Sequence, residues 1–254
     1  MSMILAVMYR EFKIRTTSMT WLFYDLLVPL AYLLLFGLSF NAALGGGFIH
    51  GPERISYNAF FLPGVLAMSS FGIAINTAYG FFVDRDNGIF YEFLTYPMTR
   101  GQFLIGKICF NALMALIQAA ITVLAGATLL EITILWERIG LLALAVVAGT
   151  AGWFFFLTFF ALRIRRNDMF NTFLNAAYFI LMFVSSIFYP VDSMPGWLRT
   201  VSYFNPLTWH TDVLRFATIG GESTQPFLEA AGFLLFLLAA FWVSVYALRY
   251  RVVE

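Results

Sequence analysis

Of the 254 residues, 61% are hydrophobic and 11% charged, against roughly 45–50% and about 25% in a soluble domain. A soluble enzyme or a disordered chain is thereby excluded, because so few charges would leave the surface of a domain this size largely apolar. The net charge of +1 gives no nucleic-acid footprint, and Cys109, His50 and His210 are too few for a disulfide or a Cys or His metal site.

Residues 1–17 interleave Ile4, Leu5, Val7, Met8, Phe12 and Ile14 with Arg10, Glu11, Lys13 and Arg15. The charges break any signal-peptide apolar region. The pattern predicts an amphipathic helix lying on the membrane surface. A crossing helix needs about 20 apolar residues. Six stretches qualify: Trp21–Phe40 with Asp25 near its start, Ala59–Val83, Phe103–Leu130 with Lys107 near its entry, Ile139–Leu162, Met169–Tyr189, and Phe227–Leu248 with Glu229 at its mouth. The fold class is an all-α integral membrane protein. With the N-terminus inside, only Arg54, Arg138, Arg199 and Arg215 of the 15 Lys and Arg residues fall outside, so both termini are expected in the cytoplasm.

Three connections stand out. Residues 41–58 form a Gly-rich outer loop around Gly45, Gly46 and Gly47. Residues 84–100 form the longest cytoplasmic loop, where Asp86 or Asn87 can cap a short helix that Pro97 ends. Ile89, Phe90, Phe93 and Leu94 give that helix an exposed apolar ridge, suited to a partner's groove or to lipid. Residues 190–226 carry apolar Trp197, Leu198, Val201, Phe204 and Trp209. Two helix starts are visible there, Ser193 with Pro195 and Asn205 with Pro206, and Gly220 with Gly221 stops the second. Both read as re-entrant or interfacial helices on the outer side.

Gly101 to Lys107 has P-loop spacing, yet Ile108 stands where Ser or Thr would hold magnesium and no strand precedes it. We read it as a helix entering the membrane with a snorkelling lysine, so the chain is not expected to bind ATP by itself. No G-x-S-x-G or H-E-x-x-H occurs, and His210 with Asp212 lacks a third partner, so both read as structural. Polar residues inside spans are costly in lipid and face protein or water. Ser69, Gly72, Asn76, Tyr79 and Gly80 share one face of the second span, and Asn171, Asn175, Tyr178 and Met182 one face of the fifth. These stripes either line a cargo path or pack helices together. Ala112, Ala115, Ala119, Ala145 and Gly149 read as packing, and Asp25 is expected to pair with an inner-side arginine or meet water. The spans hold no chain of carboxylates to couple ions, so the driving energy is expected from elsewhere.

The sequence resembles the membrane subunit of a type-2 ABC exporter, the family of nodulation-factor, daunorubicin-type drug and capsule or O-antigen glycan permeases. The resemblance is carried by Tyr9-Arg10-Glu11-Phe12, Leu35-Phe36-Gly37-Leu38, Phe61-Leu62-Pro63-Gly64 and Tyr91-Glu92-Phe93-Leu94-Thr95-Tyr96-Pro97. It continues through Phe188-Tyr189-Pro190-Val191, Met194-Pro195-Gly196-Trp197-Leu198, Asn205-Pro206-Leu207-Thr208 and Arg215, in order over nearly the whole chain. It implies a single transmembrane domain over residues 1–254, in the inner (plasma) membrane, moving an amphipathic or lipid-linked drug, lipid or glycan outward. It implies no cofactor on this chain, ATP and magnesium on two separate ABC ATPase subunits, a second permease copy, and a membrane lipid surround.

Within that scheme Asn87, Gly88, Phe90, Glu92, Phe93, Leu94 and Pro97 would couple to the ATPase. The candidate cargo path is Asn76, Tyr79, Asn175, Tyr178 and Met182, between two permeases and lined mainly by spans one, two and five. Pro190, Pro195, Asn205, Pro206 and Arg215 would shape the outer re-entrant segment. Two other classes make different demands. A channel or ion-coupled carrier needs charged rings or paired acids in its spans, and a membrane lipid enzyme needs a compact catalytic constellation.

Overall fold

The computed structural model describes residues 3–17, 19–44, 48–50, 53–220 and 226–250. Gly45, Gly46, Gly47 and Gly221, expected as loop and stop residues, lie outside the described residues. The chain opens with α1 (Met3–Thr17) and α2 (Met19–Ala43). A small antiparallel hairpin follows, β1 (Phe48–His50) with β2 (Glu53–Ile55), pairing Phe48 with Ile55. Then come α3 (Tyr57–Asp86), the five-residue α4 (Ile89–Phe93), α5 (Arg100–Leu129), α6 (Ile139–Arg163) and α7 (Asn167–Phe183). The last three helices are α8 (Gly196–Tyr203), α9 (Pro206–Thr218) and α10 (Pro226–Tyr250).

Local chemistry sets several boundaries. Ser56 Oγ accepts from Ala59 N to start α3, and Gly88 turns the chain after it at φ +77°, a left-handed conformation that glycine takes without a Cβ penalty. Thr99 and Gln102 form a capping box at α5. Asn205 Oδ1 accepts from Leu207 N, with Pro206 at the first position of α9, as its sequence predicts. Ser193 makes no cap. It ends the 3-10 turn Val191–Ser193, its N–H donating to the Pro190 carbonyl, and Pro195 precedes α8 without a side-chain cap.

α3 is the central post. In its most apolar stretch 83% of residues are buried, against 17% in α2. It packs against α2, α5, α6, α7 and α9. Cross-contacts give the directions. α2 runs against α3, since Asp25 meets Asn76 while Phe40 stacks on Tyr57. α5 also runs against it, with Lys107 on Asp84 and Gly126 beside Leu62. α7 does the same, with Phe170 on Phe82 and Tyr178 on Phe71. α6 runs alongside α3 through Trp153 on Phe71 and Arg85 on the Ala161 and Ile164 carbonyls. α10 follows α6 through Phe236 on Trp153 and Ser244 on the Phe155 carbonyl. The long helices therefore alternate in direction. α1 and α4 gather at one end, and α8 and α9 at the other.

Among the described residues five helices are long and apolar enough to cross a membrane: Phe23–Ala43, Tyr57–Asp86, Arg100–Leu129, Trp136–Arg163 and Phe227–Leu248. The expected stretch Met169–Tyr189 is shorter as a helix. α7 has 17 residues, roughly 26 Å at 1.5 Å per residue, against a hydrocarbon core of about 30 Å. It ends at Phe183, and beyond it Ser185 Oγ donates to the Met182 carbonyl and Ser186 Oγ to the Asp212 carboxylate. The remaining residues run on without helix to the α9 end, where Ile187 sits against Gly64 and Phe188 against Phe61.

Candidate functional site

Three regions hold the residues singled out by sequence. The first is a cleft of about 300 Å³. α2 lines it with Tyr24, Asp25 and Tyr32, α3 with Ser69, Gly72 and Asn76, α5 with Gln118, and α7 with Asn175 and Tyr178. Both polar stripes thus meet in one space, and Asn76, Asn175 and Tyr178 come together. Two expected members do not reach it. Met182 is buried in the core, Tyr79 packs partly against that core, and neither lines the cleft.

Asp25 organises the polar side of the cleft. Its Oδ2 accepts from Arg15 Nη1 at 2.7 Å, its Oδ1 from Asn76 Nδ2 at 3.2 Å, and its backbone carbonyl from Gln118 Nε2 at 2.5 Å. The expected arginine partner is therefore present, on α1. Across the cleft Asn175 Nδ2 bonds only to Asn171 O, one turn back on its own helix, and keeps an exposed position.

The second region lies at the α1 end. Lys107 does not snorkel; it is 2% exposed and donates to Glu11 Oε1 and Asp84 Oδ2, both at 2.7 Å. Arg10 also bonds to Asp84 and Glu11. Two cations and two carboxylates from α1, α3 and α5 thus form a buried neutral knot. A buried cation needs such partners, since desolvation without them is prohibitive. Burial lowers the Arg10 pKa, but the hydrogen bond and charge of Asp84, with the charge of Glu11, outweigh that and leave it raised. Gly106 lets α1 lie this close, because a Cβ there would meet Val7 Cβ at 2.6 Å. The P-loop-like run Gly101 to Lys107 lies inside α5, without strand or loop geometry.

α4 sits on this knot. Its cap is the Gly88 backbone, while Asn87 ends α3 instead. The apolar ridge faces inward, contrary to the exposed ridge expected. Phe90 is buried between Phe81 and Phe103, and Phe93 packs on Phe103 under the Arg10 guanidinium. Leu94 is half-buried against the same core. Tyr91, Glu92, Tyr96 and Pro97 face outward. Beside them, Met3, Ala6, Glu92, Phe93, Tyr96 and Met98 line a groove of about 430 Å³ between α1 and the α4 turn.

At the opposite end Arg215 pairs with Asp212, donates to Ser186 O at 2.8 Å, and lies over the Phe60 ring at 4.1 Å. Asn205 Nδ2 reaches Leu181 O at 2.8 Å, tying α9 to α7. Pro190 precedes the 3-10 turn, and Pro195 is exposed before α8. His210 stacks on Phe233 and touches Ala145 O at 3.2 Å, apart from Asp212 and its partners. Among the described residues no group of three or more His, Cys, Asp or Glu side chains could hold a metal. Sequence reasoning missed Gln118 and the knot, whose partners lie far apart along the chain.

Comparison with known proteins adds a second line of information. Residues 3–219 match the family described as ABC-2 type transporter. A daunorubicin resistance ABC transporter permease protein from Streptomyces coeruleorubidus is 28% identical over 185 residues, covering 72% of this chain and 62% of that protein. Nodulation protein J from Rhizobium leguminosarum bv. trifolii is 28% identical over 230 residues, covering 89% of this chain and 84% of its own length. Against four of the relatives the match spans between 62% and 65% of the relative's length.

Proposed function

We propose, from the premise that this chain belongs to the ABC-2 type transporter family, that it is the membrane permease subunit of an ATP-driven ABC exporter. It is a multi-pass membrane protein. Its cargo is an amphipathic or lipid-linked molecule, a class that includes the drug in the name of the Streptomyces relative. ATP and magnesium belong to separate ATPase subunits, two per complex, and this chain performs no hydrolysis itself. The observation that carries this reading is the seat of α4. A short helix wedged by Phe90 and Phe93 onto the ends of α3 and α5, and roofed by Arg10 of α1, turns a push from outside into a movement of those helices. Its outward residues Tyr91, Glu92 and Tyr96 are the contact surface for the ATPase, and Asn87, Gly88, Phe90, Phe93, Leu94 and Pro97 hold that surface in position.

The α1 end then faces the cytoplasm, as the Lys and Arg bias requires, with α1 on the inner membrane surface. α8 and α9 form the outer re-entrant segment within residues 190–226, shaped by Pro190, Pro195, Asn205, Pro206 and Arg215. α7 with the irregular residues after it makes the sixth crossing in the inner (plasma) membrane. The cleft between α2, α3 and α7 is the cargo path, and the exposed apolar faces of α2 and α7 meet a second permease copy. Exposed Phe23, Leu27, Phe179 and Phe183 suit such a contact.

Photo-crosslinking tests the assignment in intact cells. A benzoylphenylalanine at Tyr91 or Tyr96 should capture an ATP-binding subunit, whereas one at Trp242, exposed on α10, should not. Absence of an ATPase adduct at both tyrosines, or an equal adduct at Trp242, overturns the coupling role of α4.

A further inference from the structure

The Asp25 side of the cleft has a feature that hydropathy does not show. Pro29 lies inside α2, and proline has no N–H to give the carbonyl four residues earlier. That carbonyl belongs to Asp25, and Gln118 Nε2 supplies the missing donor from α5 at 2.5 Å. A carbonyl only accepts, so the orientation of the Gln118 amide is fixed by chemistry: nitrogen toward Asp25 O and oxygen away. Gln118 lines the cleft and is 3% exposed, and its Oε1 is buried without a hydrogen-bond partner among the described residues. A buried acceptor left without a donor is costly, and a ligand that brings one recovers the loss. Arg15 and Asp25 pair with each other beside it, and Asn76 spends a donor on Asp25 Oδ1. The local charge is therefore balanced, and a neutral donor enters without desolvating an unpaired ion. Tyr24, Tyr32 and Tyr178 add aromatic rings along the same cleft, with Val28, Val65 and Ile73 between them.

We propose that this side of the cleft is a head-group subsite for a neutral aromatic amphiphile carrying a hydroxyl or N–H donor, with Gln118 Oε1 as the acceptor that selects it. The inference rests on the cleft being the cargo path. The ring of the ligand lies among the tyrosines, its donor bonds to Gln118, and its apolar tail leaves by the open side toward lipid. Gln118 is then a selectivity residue, positioned through the Asp25 carbonyl that Pro29 leaves without an N–H donor.

The test uses two probes, 4-nonylphenol and 4-nonylanisole, which share a ring and tail but differ in having a donor. Binding is measured by calorimetry to the full chain in nanodiscs, against empty nanodiscs. The wild type should bind the phenol roughly tenfold more tightly, as one hydrogen bond to an otherwise unpaired buried acceptor is worth. Tyr178→Ala should weaken both probes, and Gln118→Met should erase the preference while keeping the anisole affinity. If the wild type binds both equally and Tyr178→Ala weakens both, the subsite is overturned and the cleft stands. If neither probe binds, or Tyr178→Ala affects neither, the cleft reading falls with the subsite. A phenol preference that survives Gln118→Met overturns the role of Gln118. The wild-type comparison decides the matter even if Gln118→Met fails to fold.

Discussion

The two ends of this bundle each bury ion pairs, and they use them differently. At the α1 end Arg10, Glu11, Asp84 and Lys107 come from three helices, with partners 74 and 96 positions apart. At the α9 end Asp212 and Arg215 sit one turn apart on a single helix, completed by Ser186 and the Phe60 ring. Counting along α3 from Phe60 to Asp84 puts the two sites roughly 36 Å apart. The Asp212–Arg215 pair joins α9 to Ser186, just after α7. The four-charge knot fastens α1, α3 and α5 to one another directly beneath α4. Any force arriving at α4 therefore meets three helices already joined by their charges, whereas at the α9 end both charges lie on one helix and reach their neighbours through Ser186 and the Phe60 ring. A neutral knot of four charges is also fragile in a specific way, because removing one member leaves another buried without compensation.

The largest effect should come from Lys107→Met. It leaves two buried carboxylates, Glu11 and Asp84, sharing the single cation Arg10, and breaking a buried pair costs about 3–5 kcal/mol. Thermal unfolding in nanodiscs should show the loss, and adding Asp84→Asn should recover much of it. A loss below about 1 kcal/mol would mean that the knot is well solvated, and the contrast between the ends would disappear. Next in size is Gly149→Ala, at the α9 end. A Cβ there would stand 2.1 Å from the His210 ring, which stacks on Phe233 and has little room to yield. Overpacking of this kind costs about 1–3 kcal/mol. Because the cost is steric, His210→Ala in the same chain should relieve it, and the two changes should be strongly non-additive in unfolding experiments. Additive effects would show that α9 is not seated on α6 through this contact.

How much of this is legible in sequence depends on the distance over which each interaction acts. Five of the six long apolar runs and the Asn205-Pro206 start of α9 follow from local pattern, and the described helices agree with each. The partners of Lys107 do not follow, since nothing near it in sequence is acidic. Phe90 and Phe93 read as an exposed ridge because Phe81 and Phe103, which cover them, belong to other helices. Ser186, just after α7, has its partner on α9, where the Asp212 carboxylate accepts from it. Gln118 had a usable signal: Pro29, four residues after Asp25, announces an unpaired carbonyl inside a span. The sequence does not say which helix supplies the donor, and only packing does.

The smallest stability effect should fall between the two ends, in the cleft. Asn175 is exposed and bonds only to Asn171 O on its own helix. It therefore joins no second helix within this chain, unlike Asn76, which crosses from α3 to Asp25 on α2. Replacing it by leucine removes one intrahelical side-chain bond and adds apolar volume at an open position. Unfolding should shift by no more than about 0.5 kcal/mol, as for surface changes away from packed features. Asn76→Leu should cost more, about 1–3 kcal/mol, because it strips a hydrogen bond from the partly buried Asp25 carboxylate. The ratio of the two effects separates a lined path from a packing seam. If Asn175→Leu is as damaging as Asn76→Leu, the α7 stripe is holding helices together. The cleft would then belong with the welded knot at the α1 end, not with the open surface between them.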